Sequence, residues 1–199
     1  MSSTVDAGDD RRVGRPRDPS CDAAIVQSAI DSFIEHGYAA LSVEDVAARA
    51  GVAKATIYRR YATKAELVVD ALRCTLDVAD DQPEVGDVRA MLLEALRLLF
   101  DRLRGPHGPL LVALAAERIH HPDLAAEFQR VVVDARRSHL RRLVANAVKR
   151  GELPADTDVT LVATAGPAIL WHHALHGLGF PADLPDRIVA LVLGSADRA

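Results

Sequence analysis

Residues 43 to 61 read Val-Glu-Asp-Val-Ala-Ala-Arg-Ala-Gly-Val-Ala-Lys-Ala-Thr-Ile-Tyr-Arg-Arg-Tyr, and their spacing decides the fold. With Val43 as the first position, Ala47 stands fifth, Gly51 ninth and Ile57 fifteenth. A small fifth residue lets a second helix approach the first, glycine supplies the positive φ of a tight turn, and Val46, Val52 and Ile57 make a shared core. The pattern is that of a helix-turn-helix. Its second helix carries Lys54, Thr56, Tyr58, Arg59 and Arg60, charged and hydroxyl groups suited to phosphates and base edges. Tyr58 has an alternative place, packed on the preceding helix with a wet hydroxyl.

The charge around this stretch is local. The 199 residues carry a net charge of -4 and a pI near 6.0, which excludes a globally basic, histone-like DNA coat. Nucleic-acid binding therefore requires a concentrated patch. Residues 11 to 64 hold nine bases and six acids, whereas residues 65 to 199 hold fifteen bases and nineteen acids. No acid separates Asp45 from Glu66, so Arg49, Lys54, Arg59, Arg60 and Lys64 form one basic run. A second lies upstream in Arg11, Arg12, Arg15 and Arg17, a segment with one apolar side chain in seven residues that cannot build a core. Its Gly14-Arg15-Pro16 tripeptide has the form of an arm that sinks arginine into a minor groove, the alternative being a nonspecific electrostatic tail.

Farther out, apolar residues recur at helical spacing, as in Val85, Val88, Leu92, Ala95, Leu96, Leu99 and Leu103, and no strand pattern competes. Start and stop signals divide the chain into about nine helices. Pro19 opens the first and Gly37 closes it. Ser42 and Thr63 cap the second and fourth, Thr63 with Glu66 as a capping box, and both helix N-termini could also meet phosphates. Gly105 to Pro109 breaks the chain after the fifth helix, and a seventh runs without interruption from Pro122 to near Gly151. Residues 159 to 182 lack Asp, Glu, Lys and Arg, but Gly166-Pro167 and His172-His173 leave the apolar part too short for a bilayer. Two cysteines, Cys21 and Cys74, and no apolar leader point to the cytoplasm rather than secretion.

From Leu41 to Leu67 the sequence resembles the TetR family of bacterial transcriptional regulators. The resemblance rests on the helix-turn-helix, the Ile57-Tyr58 pair, the aromatic Tyr61, and Thr63-Lys64-Ala65-Glu66-Leu67 opening the fourth helix; with the first helix it spans about residues 18 to 72. It implies an all-α protein in three parts: a basic arm at 1–17, a DNA-binding unit of three helices at 18–62, and a helical ligand-binding and dimerisation domain at 63–199. It further implies a homodimer, usually a repressor released from operator DNA by a small molecule. Family members place the tyrosine corresponding to Tyr58 and the lysine corresponding to Lys64 on phosphates. Tyr61 stands where phenylalanine is usual and is expected in the core.

The C-terminal part carries no motif as specific. An apolar effector is expected among Met91, Leu96, Phe100, Leu114, Phe128 and Trp171, with His172 or His176 as polar handles. A dimer seam is expected from Ile169, Leu170, His173, Ile188, Val189, Val192 and Leu193. Arg136, Arg137, Arg141 and Arg142 read as a solvated stripe. His172 and His176 have the spacing of zinc ligands on one helical face, but a metalloprotease would need glutamate at 173. No phosphate loop, Cys-x-x-Cys or nucleophile elbow occurs, so neither catalysis, metal nor cofactor is expected. A metal-binding helical enzyme and a ligand-independent architectural DNA-binding dimer are the competing readings.

Overall fold

A computed structural model describes residues 19–75 and 87–194, and every regular element among them is helical. The arginines of the arm, Arg11, Arg12, Arg15 and Arg17, lie outside the described residues, as does Val85. Helix α1 spans Pro19–Ala40, α2 Val43–Arg49, α3 Lys54–Tyr58 and α4 Lys64–Thr75. After them come α5 (Val88–Arg104), α6 (Gly108–Glu117), α7 (Pro122–Phe128), α8 (Asp134–Arg150), α9 (Val159–His176) and α10 (Leu184–Leu193).

The caps read from sequence form. The Ser42 hydroxyl accepts from the Asp45 N–H at 3.3 Å, and Thr63 accepts from the Glu66 N–H at 3.1 Å while the Glu66 carboxylate accepts from the Ala62 N–H at 2.6 Å. Each satisfies amides that the first turn leaves unpaired. Gly37 leaves helical geometry at φ 73° and ψ 173°, after which a last turn runs to Ala40. That combination is open to glycine and almost nothing else.

One expected element differs. The helix from Pro122 is broken by a π-helical turn, Gln129–Val133, before continuing as α8. Three consecutive β-branched valines, Val131 to Val133, crowd the preceding α-turn, and no glycine or proline announces the change.

Packing follows the apolar faces. Ile25, Ala29, Ile30 and Phe33 of α1 meet Leu67, Val68, Ala71 and Leu72 of α4 in one buried core that extends through Leu124 and Phe128 of α7. Helix α4 thus touches the first helix on one side and α7 on the other. Helix α9 lies against α5, α8 and α10. The expected dimer seam needs correction at four positions: Leu170, Ile188, Val189 and Leu193 are buried in the chain's own core, whereas Ile169, Val192 and His173 stay half-exposed, His173 with a 2.8 Å contact to the Gly179 carbonyl. The composition was apolar enough for an interface, but intrachain packing absorbs it. The apolar side chains left outside on these helices are Leu161 (65% exposed), Leu175 and Leu191 (71% exposed). No helix among the described residues is long and apolar enough to cross a membrane.

Gly37→Ala is expected to lower unfolding free energy by about 1–3 kcal/mol, because the new side chain is strained at this backbone conformation. It would also stand 3.2 Å from the Glu117 carboxylate. Urea denaturation checks it, and an unchanged midpoint would show that the turn has another accessible conformation.

Candidate DNA-reading head and effector cavity

The helix-turn-helix closes as its spacing requires. Val46, Ala47 and Ile57 are buried, Gly51 adopts φ 67°, and the Val52 N–H donates to the Ala47 carbonyl at 3.0 Å. This fixes α3 with Lys54, Tyr58 and Arg59 facing solvent and Thr56 and Arg60 half-buried. Tyr58 is 46% exposed, so it is not packed away on the preceding helix.

The basic run is less free than its sequence suggests. Lys54 pairs with Glu44 and lies 5.4 Å from the Tyr58 ring centre. Arg49 donates twice to Glu35, at 3.0 and 2.7 Å, which holds the Glu35 carboxyl below its ordinary range. These acids lie outside the acid-free interval but return to it in space. Both pairs are exposed and contribute little to stability; their effect is to orient the cations. Arg59 stands on the open face. Ser42 is half-buried and its hydroxyl caps α2.

Lys64 is a structural tie. Its ammonium donates to the Tyr38 carbonyl at 2.8 Å and to the Ala39 carbonyl at 3.3 Å, and lies 4.4 Å from the Tyr38 ring centre. An ammonium has three N–H donors, so one is left for a phosphate after both carbonyls are served. The half-buried Tyr61 donates to Asp70 at 3.1 Å and packs against the core.

Sequence reasoning missed the residue at the centre of this arrangement. The buried Tyr38 donates its hydroxyl to Asp123 at the start of α7, and its ring lies 4.9 Å from that of His121. His121 in turn is 3.2 Å from Glu117 at the end of α6. Burial first, and then the Asp123 carboxylate, push the Tyr38 pKa up, while the Tyr38 hydroxyl holds Asp123 down. No local pattern announces a bond between residues 85 apart in sequence.

The same α6–α7 corner borders an open cavity of about 980 Å³ lined by α5, α6, α7, the π turn, α8 and α9. Of the residues expected there, Met91, Phe128 and Trp171 line it. Leu96, Phe100 and Leu114 are buried elsewhere in the core, Leu96 beside α9 and Phe100 edge-on to Phe180, and are corrected to core residues. His172 and His176 stack on each other at 4.5 Å on the exposed side of α9 and do not line the cavity. Among the described residues, no group of three or more His, Cys, Asp or Glu side chains could hold a metal ion. Arg136, Arg137 and His139, by contrast, do line the cavity; Arg137, Arg141 and Arg142 are exposed as a solvated stripe requires, and Arg136 is half-buried.

Residues 25–71 match the model of the TetR family of bacterial regulatory proteins, and residues 82–192 that of the tetracyclin repressor-like C-terminal domain. A DNA-binding transcriptional repressor TetR from Mycobacteroides abscessus is 31% identical over 81% of this chain and 84% of its own. An uncharacterized HTH-type transcriptional regulator of Mycobacterium tuberculosis, Rv1556, is 35% identical over 70% of each chain. Among solved structures, the TetR family regulator SCO0332 superposes over 90% of this chain and 98% of its own, with a TM-score of 0.67 at 26% identity. The transcriptional regulator FadR of Bacillus subtilis, solved in complex with stearoyl-CoA, gives 0.70 over 86% of this chain and 97% of its own, at 18% identity.

The Tyr38–Asp123 bond gives a pH prediction. A carboxyl depressed on folding contributes stability above its unfolded pKa, about 3.9 for Asp, and loses it as pH falls through the lower folded value. Wild type should therefore lose more stability below about pH 4 than Asp123→Asn does. Urea midpoints measured as a function of pH check this, and parallel curves would contradict it.

Proposed function

Because the chain belongs to the TetR family of transcriptional regulators, we propose that it acts in the cytoplasm, without catalysis, as a homodimeric repressor whose grip on operator DNA is released by a small molecule in the 980 Å³ cavity. The observation that carries this reading is continuity. Arg118 and Ile119 line the cavity, and the next turns supply His121 and Asp123, which hold Tyr38 and through it the end of α1 and the start of α4. A ligand that displaces the α6–α7 corner displaces the seat of the head at residues 18–62. Helix α4 is the lever, since it begins where the recognition helix ends and packs on both α1 and α7.

Arg59, Lys54 and Thr56 are assigned to base edges and phosphates, Tyr58, Lys64, Ser42 and Arg60 to phosphates, and the arginines of the arm to the adjacent minor groove. The dimer seam is assigned to α9 and α10 through side chains they leave outside both the core and the cavity, Leu161 and Leu191 exposed and Ile169, His173 and Val192 half-exposed. Two heads related by a twofold axis then read two half-sites. A metal-dependent enzyme has no comparable support. An architectural dimer would bind DNA with indifference to sequence and to any cavity ligand.

Selection from a random DNA pool is expected to return a two-fold symmetric site with half-site centres about one helical turn, or a multiple of it, apart. Light scattering of the free protein is expected to give twice the chain mass of 21.4 kDa. A monomer that still selects a palindrome, or a pool that returns no consensus, would contradict the reading.

Tyr58→Phe should weaken binding to all sequences by a similar factor, since a phosphate contact carries no sequence information. Arg59→Ala should instead change which sequences are enriched, by about 1–3 kcal/mol of lost discrimination at one position. Competition binding against the selected site and its single-base variants checks both, and an Arg59→Ala profile that merely scales the wild-type profile would move Arg59 to the phosphates.

A further inference from the structure

The cavity has an apolar floor and a cationic rim. Leu111, Phe128 and Leu143 are buried at its floor. Four arginines border it, Arg102, Arg118, Arg136 and Arg137, against a single acid, Glu94. Of the carboxylates on the adjoining segments, Glu117 pairs with His121 and Glu127 with Arg130, while Asp134 and Asp123 accept from Gln129 and Tyr38. Arg118 lines the cavity, its guanidinium carbon 4.6 Å from the Phe128 ring centre. Arg136 and Arg137 follow directly on the π turn Gln129–Val133, whose Gln129, Val132 and Val133 are themselves part of the wall. A π turn shifts the register of all that follows it, and such turns are frequent at functional sites.

A guanidinium is shaped to take a carboxylate or phosphate through two parallel N–H donors, and Arg136, half-buried, and Arg137, exposed, stand beside the apolar wall. An apolar, uncharged effector would fill the floor and make no use of these two guanidinium groups. We infer that the occupant is an amphipathic anion, an apolar body ending in a carboxylate or phosphate, with the body on Leu111, Phe128 and Leu143 and the head held by Arg136 and Arg137. The inference rests on the proposed effector role of this cavity and replaces the uncharged ligand expected from sequence. Trp171 lies in the same wall and reports occupancy.

The test uses the full-length protein and three probes of equal chain length below their aggregation thresholds: hexadecanoate, hexadecyl phosphate and hexadecanol. Titrations followed by Trp171 fluorescence are expected to give saturable binding, with at least one anion tighter than the alcohol by about tenfold or more. The tighter of the two anions identifies the head group. An Arg136→Gln/Arg137→Gln double variant should bring the anion to the alcohol's affinity without changing the alcohol's. Arg136→Lys/Arg137→Lys, which keeps the charge, should retain most of the preference and serves as the control for folding. Equal affinity of all three probes, saturable binding by none, or an anion preference untouched by the glutamine variant would each overturn the inference. Operator binding is read in parallel. An anion that binds through the arginines but leaves DNA in place supports the charge assignment and defeats the effector role, whereas an alcohol as effective as the anions in binding and in releasing DNA does the reverse.

Discussion

Tyr38 is buried where three segments meet, and its four contacts tie them into one unit. Its backbone follows the Gly37 break in α1, its carbonyl and ring receive Lys64 from the start of α4, its hydroxyl reaches Asp123 of α7, and its ring faces His121. The head's remaining contacts with the body run mainly between α1 and α4. A hydrogen bond from a buried hydroxyl to a carboxylate is directional, and leaving either partner unpaired costs more than the bond itself contributes. The orientation of the head therefore depends on this junction more than on the area buried around it.

That dependence explains how a cavity can act on DNA recognition without touching DNA. Two reading heads must match grooves whose separation is set by DNA pitch, so a small displacement of the α6–α7 corner is enough to misplace both. The cavity and the junction share one short segment, with Arg118 and Phe128 in the cavity and His121 and Asp123 between them at Tyr38. A ligand that draws Arg118, Arg136 and Arg137 toward its head group acts on that segment directly.

The helix-turn-helix was legible because its constraints are local: Ala47, Gly51 and Ile57 must occupy their positions for two helices to cross at short range. The caps at Ser42 and Thr63 were legible for the same reason. The C-terminal site was much less so. Helical periodicity says that Leu96, Phe100 and Leu114 face inward, but not whether they face a void or another side chain, and all three meet side chains. The interface residues failed on the same point, with Leu170, Ile188, Val189 and Leu193 consumed by the subunit's own core. That Arg136 and Arg137 border the cavity was not legible, because a π turn without punctuation changes the phase of the helix that carries them. Charge along the chain was a good guide to where the head is and a poor guide to which cations are free, since Glu35 and Glu44 return to Arg49 and Lys54 through folding.

The central claim is that the Tyr38 junction carries the coupling between cavity and DNA, and a cavity ligand's affinity with and without operator DNA, measured in wild type and in Tyr38→Phe, tests it most directly. In wild type the two affinities should differ by about 5- to 150-fold, the range of a coupling free energy of about 1–3 kcal/mol, with the same factor in the reciprocal titration. In Tyr38→Phe the ring, the Lys64 tie and the fold are kept while the Asp123 bond is lost. The account predicts that this ratio falls toward one while the ligand still binds the free protein as in wild type. A variant that retains the wild-type ratio would contradict it and place the coupling elsewhere in the contact between α4 and the body.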